Sequence, residues 1–337
     1  SSMCHFCLSH IVAAMYLHCM FFTICVMVAV YHLPPVLLDN HASSALAVAA
    51  IEEAADQGAQ LFTYPSAFLP GYPTWIWRLK PGADMALGNE IHSKLRTNAV
   101  NISAGDLTPI SDAAAKNSMV VVMGMHELDS QFSGTTLFNT VVVIAHDGSI
   151  VNRHRKLMPT NPERMVWGMG DASGLQVVDT RLGRVGCLIC WENYMPLARF
   201  ALYAQGMDIL IAPTWDCGET WTASMRHIAR EGGCWVLSSA TAIQGSDIPQ
   251  SFPGRSQLFT DDEWINSGDA VIVKPGGAVS AGPHHKDKSI LYAMVDPEVA
   301  RASRKSLDVT GHYGRPDLFQ LTVDRSQREP VRFSSTK

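Results

Sequence analysis

Apolar residues recur along this chain in two rhythms. Short, nearly continuous runs at 24–31, 59–64, 119–124, 140–145, 183–190, 208–212, 235–241 and 290–295 read as buried strands, several of them closed by Gly or Pro turn signals. Helical spacing takes over at 43–57, 87–99, 110–117, 196–205, 221–231 and 297–305, the first opened by serine and stopped by Gly58. A shorter strand is expected at 175–178. The segments 269–273 and 278–281 form a hairpin around Pro275-Gly-Gly277. Strands and helices alternate, yet some strand pairs are joined by tight turns. That mixture predicts a layered α/β sandwich with mixed rather than all-parallel sheets. No linker is long enough to split the chain, and no Gly-x-Gly-x-x-Gly follows a strand, so a dinucleotide site has no support.

Composition narrows the possibilities without deciding among them. The chain has 337 residues, 47% hydrophobic and 17% charged, with a net charge of −5. It holds no basic block, so neither nucleic acid nor an anionic membrane is expected as a partner. Eight cysteines in a chain of this length do not resemble a disulfide framework, which favours a reducing, cytoplasmic setting. Cys4-His-Phe-Cys7 lacks a second ligand pair at finger-like spacing, so no metal is expected. Cys187 and Cys190, three apart on a strand, point to opposite faces rather than forming a redox pair. Residues 11–31 are almost wholly apolar, but the first Lys or Arg is Arg78, so neither a signal peptide nor an oriented anchor is indicated. Residues 24–31 read instead as the first core strand, leaving residues 1–22 as an apolar extension of unknown role.

The chemistry concentrates in four segments. In Val185-Gly-Cys-Leu-Ile-Cys-Trp-Glu-Asn-Tyr-Met-Pro196 an apolar run delivers Cys190 to a strand-to-loop elbow, which suits a nucleophile held rigidly at a cleft. Lys156 lies in Asn152-Arg-His-Arg-Lys-Leu-Met-Pro159, ahead of Val166-Trp-Gly-Met-Gly-Asp171. Glu127 follows a core strand in Gly124-Met-His-Glu-Leu-Asp129, and Ser66 sits in Leu61-Phe-Thr-Tyr-Pro-Ser-Ala-Phe-Leu-Pro-Gly-Tyr-Pro73.

These segments closely resemble the motifs of the nitrilase family, the C–N hydrolases that convert nitriles to carboxylate and ammonia, over roughly residues 24–325. The resemblance implies a four-layer αββα sandwich with two mixed sheets over residues 23–310 and a tail, 311–337, at a subunit interface. It implies self-association into dimers, spirals or filaments, and neither metal nor organic cofactor. It makes Cys190 the nucleophile and Lys156 the ammonium that stabilises the tetrahedral intermediate. Glu127 becomes a carboxylate bonded to that lysine. The backbone N–H of Trp191 is the expected oxyanion donor. Tyr72, Trp167, Trp191, Trp215 and Glu192 stand in or beside the motifs as candidate substrate-binding residues, with Glu192 also placed to orient the elbow.

Two positions depart from the family pattern. His32 stands where the family has glutamine, and Ser66 stands where it has its general-base glutamate. Serine is not a base at neutral pH, and losing a positioned base costs about 10²–10⁴ in rate. The expected function is therefore thiol hydrolysis of a small nitrile, with activity impaired by Ser66. The competing expectation is a weak or inactive nitrilase-like protein retained for binding or filament assembly.

Overall fold

The computed structural model describes residues 25–331 and 333–334. The expectations placed on Cys4, Cys7 and the extension of residues 1–22 lie outside the described residues. Thirteen strands form two sheets among the described residues. The first runs β13 (Ile290–Val295), β1 (Val26–Tyr31), β2 (Leu61–Thr63), β3 (Val120–Leu128), β4 (Leu137–Ile144), β5 (Ile150–Arg155). The second runs β10 (Ala242–Gln244), β11 (Trp264–Val273), β9 (Trp235–Ser238), β8 (Ile209–Ile211), β7 (Gly183–Cys187), β6 (Val178–Thr180), with β12 (Val279–His285) paired to β11. Both are mixed. β1, β2 and β3 are parallel, as are β7, β8 and β9, while antiparallel flanks come from hairpins and from β13 on β1 and β11 on β9.

The layers follow from the period of two along each strand. Val26, Val28 and Val30 of β1, with Val120, Val122, Val141 and Val143, pack against Val185, Ile209, Ile211, Leu237 and Ile272 of the other sheet. The alternate residues Ala29, Tyr31, Phe62, Val121 and Met123 face outward under α1 (Asn40–Asp56) and α3 (Thr108–Lys116), through Ala47, Ile51 and Ile110. Leu210, Val236 and Val271 are covered by α4 (Pro196–Tyr203) and α5 (Glu219–Gly232), through Leu202, Trp221 and Met225. The order helix, sheet, sheet, helix is the expected αββα sandwich. A further helix, α2 (Met85–Thr97), is expected at 87–99 and found two residues earlier.

One strand goes unmarked by the apolar pattern, and two local expectations need correction. β5 is polar at Asn152, Arg153, His154 and Arg155, and pairing with β4 makes it a strand. β3 continues past Gly124 to Leu128 because β4 supplies partners for polar His126 and Glu127 as readily as for valines. The hairpin after Val273 is longer than predicted, since β11 begins at Trp264 and accommodates irregular register near Gly268 and Asp269.

Candidate active site

The loops that follow the parallel strands gather at one end of the sandwich, where open α/β sheets place their sites. Cys190 follows β7, Thr214 follows β8, Ser239 follows β9, Ser66 follows β2 and Lys156 follows β5. Strand-like pairing continues past β7, with Leu188 N–H donating to Ile211 O (3.1 Å) and Cys190 N–H to Pro213 O (2.8 Å). At Cys190 the chain turns abruptly, with φ of 52°, a left-handed conformation that non-glycine residues seldom adopt. Such strain persists only where surrounding bonds over-determine it.

Here they do. Glu192, fully buried, accepts from Ile189 N–H (2.6 Å), from Leu157 N–H (2.6 Å) and from His154 Nε2 (3.0 Å). One carboxylate thus staples the residue before Cys190 to the residue after Lys156. Asn193 Nδ2 donates to Leu188 O and Cys190 O, both at 2.9 Å. These bonds make Glu192 the residue that orients the elbow, and it also lines the cavity beside Trp191.

Lys156 is 1% exposed. Its Nζ donates to Glu163 Oε2 at 2.6 Å and to Thr160 Oγ1 at 3.3 Å. Burial alone would lower its pKa, but electrostatic interaction with the neighbouring Cys190 and Glu163 outweighs that and holds it above the ordinary lysine value. The group is therefore an ammonium, electrostatically coupled to the cysteine. The other Glu163 oxygen accepts from Tyr72 Oη at 2.7 Å, and burial followed by this carboxylate keeps the phenol protonated.

Glu127 does not bond Lys156. It lies on the outward face of its sheet, where it takes Thr140 Oγ1 (2.7 Å), Arg155 Nη2 (2.7 Å) and Arg153 Nη1 (3.3 Å). The lysine's carboxylate is Glu163, which the sequence reading missed. Its signal was present: Thr160-Asn-Pro-Glu163 has the spacing of a capping box, and Glu163 Oε2 does accept from Thr160 N–H at 2.7 Å.

Ser66 is buried and exchanges hydrogen bonds with Asn139, whose Nδ2 donates to Ser66 Oγ at 3.0 Å. Ser239 ties this loop to the elbow. Its Oγ donates to Tyr64 O (2.8 Å) and its carbonyl accepts Thr214 N–H (2.8 Å). Thr214 Oγ1 in turn lies 3.3 Å from Cys190 Sγ.

The aromatic candidates divide. Tyr72 stacks on Trp215 (centroids 4.2 Å, planes 4° apart) and meets Trp167 edge-on at 5.8 Å. Trp167 Nε1 donates to His126 Nδ1 (2.9 Å), so His126 carries its proton on Nε2 and donates to Gly71 O (2.8 Å). Trp191 stands apart, 46% exposed, with its indole N–H on Asp216 (2.8 Å). It borders a cavity of about 370 Å³ with Met158, Thr160, Asn161, Arg164 and Met195. Among the described residues no cluster of His, Cys, Asp and Glu is arranged to hold a metal. No helix among them is long and apolar enough to cross a membrane.

The fold thus brings together a buried thiol at a strained elbow, a buried ammonium and a carboxylate bonded to that ammonium. The carbon-nitrogen hydrolase family model matches residues 27–305, and the chain belongs to that family. It is 40% identical over 307 residues to a bifunctional nitrilase/nitrile hydratase of Nicotiana tabacum, covering 89% of this chain and 86% of that one. It is 38% identical over 306 residues to an aliphatic nitrilase of Sinorhizobium fredii, covering 90% and 97%. The fold is similar to that of Saccharomyces cerevisiae Nit3, with a TM-score of 0.66 at 21% identity over 86% of this chain and 96% of that one. The protein is thus a hydrolase acting on C–N bonds.

Proposed function

We propose that the protein is a nitrilase-type thiol hydrolase that converts a small organic nitrile to carboxylate and ammonia, at a rate limited by Ser66. The observation that carries this reading is Cys190 itself, 5% exposed, held in a left-handed elbow and coupled to the Lys156 ammonium. The Cys190 sulfur adds to the nitrile carbon and the nitrogen takes a proton, giving a thioimidate. Water adds to that carbon, the C–N bond breaks and ammonia leaves, giving an acyl-enzyme. A second water cleaves the thioester, releasing carboxylate and the thiol. Lys156 stabilises the charge that develops at each addition, joined by the Trp191 N–H, because Cys190's own N–H is committed to Pro213. Glu163 holds the lysine's aim and is the carboxylate within reach for returning its proton.

Ser66 and Asn139 bond each other where the resemblance places the general-base carboxylate, which supports impaired turnover. Ammonia release from a panel of aliphatic and aromatic nitriles tests the reading. Cys190→Ala should abolish it. Ser66→Glu should raise it at least about tenfold if a base is what the site lacks. No ammonia from any nitrile, with Ser66→Glu equally silent, would leave the binding or assembly reading in its place.

Self-association has its own support. Leu197 and Phe200 on α4 face Tyr313, Leu318 and Phe319 across an apolar groove of about 1190 Å³. A second copy of the chain is the expected occupant, and Leu197→Glu should then lower the mass seen by light scattering.

A further inference from the structure

Thr214 sits against the reacting sulfur, and nothing in the motif reading assigned it a role. Its side chain is wholly buried, and its hydroxyl has one proton and two lone pairs. One lone pair is occupied, because Asp216 N–H donates to Thr214 Oγ1 at 2.8 Å. The proton is directed at Cys190 Sγ, 3.3 Å away, so sulfur is the acceptor. The geometry is fixed on both sides. Thr214 N–H is anchored on Ser239 O, the preceding Pro213 O takes the Cys190 N–H, and a β-branched side chain has restricted freedom at χ1. The sulfur is thereby gripped by the end of β8 through the backbone of Cys190 and through its own lone pair.

We infer that Thr214 is a catalytic residue of this site: its hydroxyl stabilises Cys190 as a thiolate, together with the Lys156 ammonium, before substrate arrives. Rested on the nucleophile assignment above, this explains how attack proceeds with serine at position 66. A thiolate formed in advance has already given its proton to solvent, so the bond-forming step needs no base; the nitrile nitrogen takes its proton from the Lys156 ammonium, which water re-protonates. The missing carboxylate is then felt later, when water must be activated to release the acyl-enzyme. Attack and turnover therefore separate, and Thr214 governs the first.

The test uses alkylation rather than hydrolysis, so its failure is distinct from failure of the nitrilase reading. Iodoacetamide carbamidomethylates the thiolate sulfur and expels iodide. The rate at Cys190 is followed by fragment mass spectrometry of its peptide from pH 6 to 10, with fully buried Cys187 on the same peptide as a control. Thr214→Val, nearly isosteric, should slow Cys190 alkylation roughly tenfold at pH 7, corresponding to about one pKa unit of lost preference for the thiolate, with the deficit shrinking toward pH 10. Thr214→Ser should stay within about threefold of the parent, because it restores the donor. If Thr214→Val does not fold, Thr214→Ala carries the same comparison. An unchanged rate at pH 7, or a loss equal at every pH, would overturn the proposal, the latter showing that only geometry was disturbed. Alkylation behaving as expected while no nitrile releases ammonia would leave Thr214's role standing and the substrate assignment fallen.

Discussion

Glu127 and Glu163 are both buried glutamates, and they do opposite things. Glu127 on β3 faces the helix layer with Arg153 and Arg155 of β5, two strands away. Asn139, His154 and Lys156 take the alternate parity and face the opposite sheet, where Ser66, Glu192 and Cys190 also lie. A period of two is unforgiving: a residue on the wrong parity is separated from its supposed partner by the sheet itself. Glu163 escapes that rule because it is not on a strand. The turn at Thr160–Met165 swings it back over the lysine. Within the sheet, then, the inner face carries chemistry and the outer face carries an ion-pair network that fastens β3 to β5 across β4.

The largest test of that division is Lys156→Met, which should cost about 10³-fold in turnover by removing the ammonium coupled to the sulfur. It should also destabilise, since Glu163 is left buried without its cation. Glu163→Gln should cost about 10² in kcat, leaving KM within a few fold, because an amide can keep the shape of the contact but not its charge. Glu127→Gln should behave in the contrary way. Activity should stay within about threefold, while urea denaturation shows a loss of about 2 kcal/mol from the partly buried pair. If Glu127→Gln and Glu163→Gln lower kcat alike, the comparison fails.

A smaller effect appears only in acid. Burial holds the inner-face imidazoles His32 and His126 at pKa values of about 4 and about 3, below the ordinary 6.5. Between those values the unfolded chain binds protons that the folded chain refuses, so stability is complete above pH 6.5 and falls as the pH drops. Near pH 5 the two groups contribute a slope of about 2.7 kcal/mol per pH unit, about 1.36 from each. His32→Gln should remove half of it. A slope unchanged by that substitution would show that His32 is protonated in the folded protein.

The apolar code was legible wherever burial was on both faces. β1 and β13 were read to within two residues, because their continuous hydrophobic runs have no other stable destination. The same logic failed at β5, where arginines and histidine mask a strand whose polar groups find partners only after β4 and Glu192 are in place. The elbow at Cys190 was visible for a comparable reason: an apolar strand that stops at a polar turn has to present its last residue at the sheet edge. Asn139 and Thr214 were not visible as site residues, because each acts on a residue from another element and nothing local in the chain announces the meeting. Glu163 was legible only as a capping-box residue, since its contact with Lys156 depends on how the turn folds back.

The sequence by itself therefore determined the layered α/β class and the motif segments that hold Cys190, Lys156 and Ser66, because strand periodicity and motif chemistry are written within a few consecutive residues. Only the tertiary structure decided which carboxylate bonds the lysine, that Glu192 holds the elbow, and that a threonine donates to the sulfur. Those outcomes depend on which face a side chain leaves from and on what the neighbouring strand's end presents to it, and both are fixed only when the two sheets close on one another.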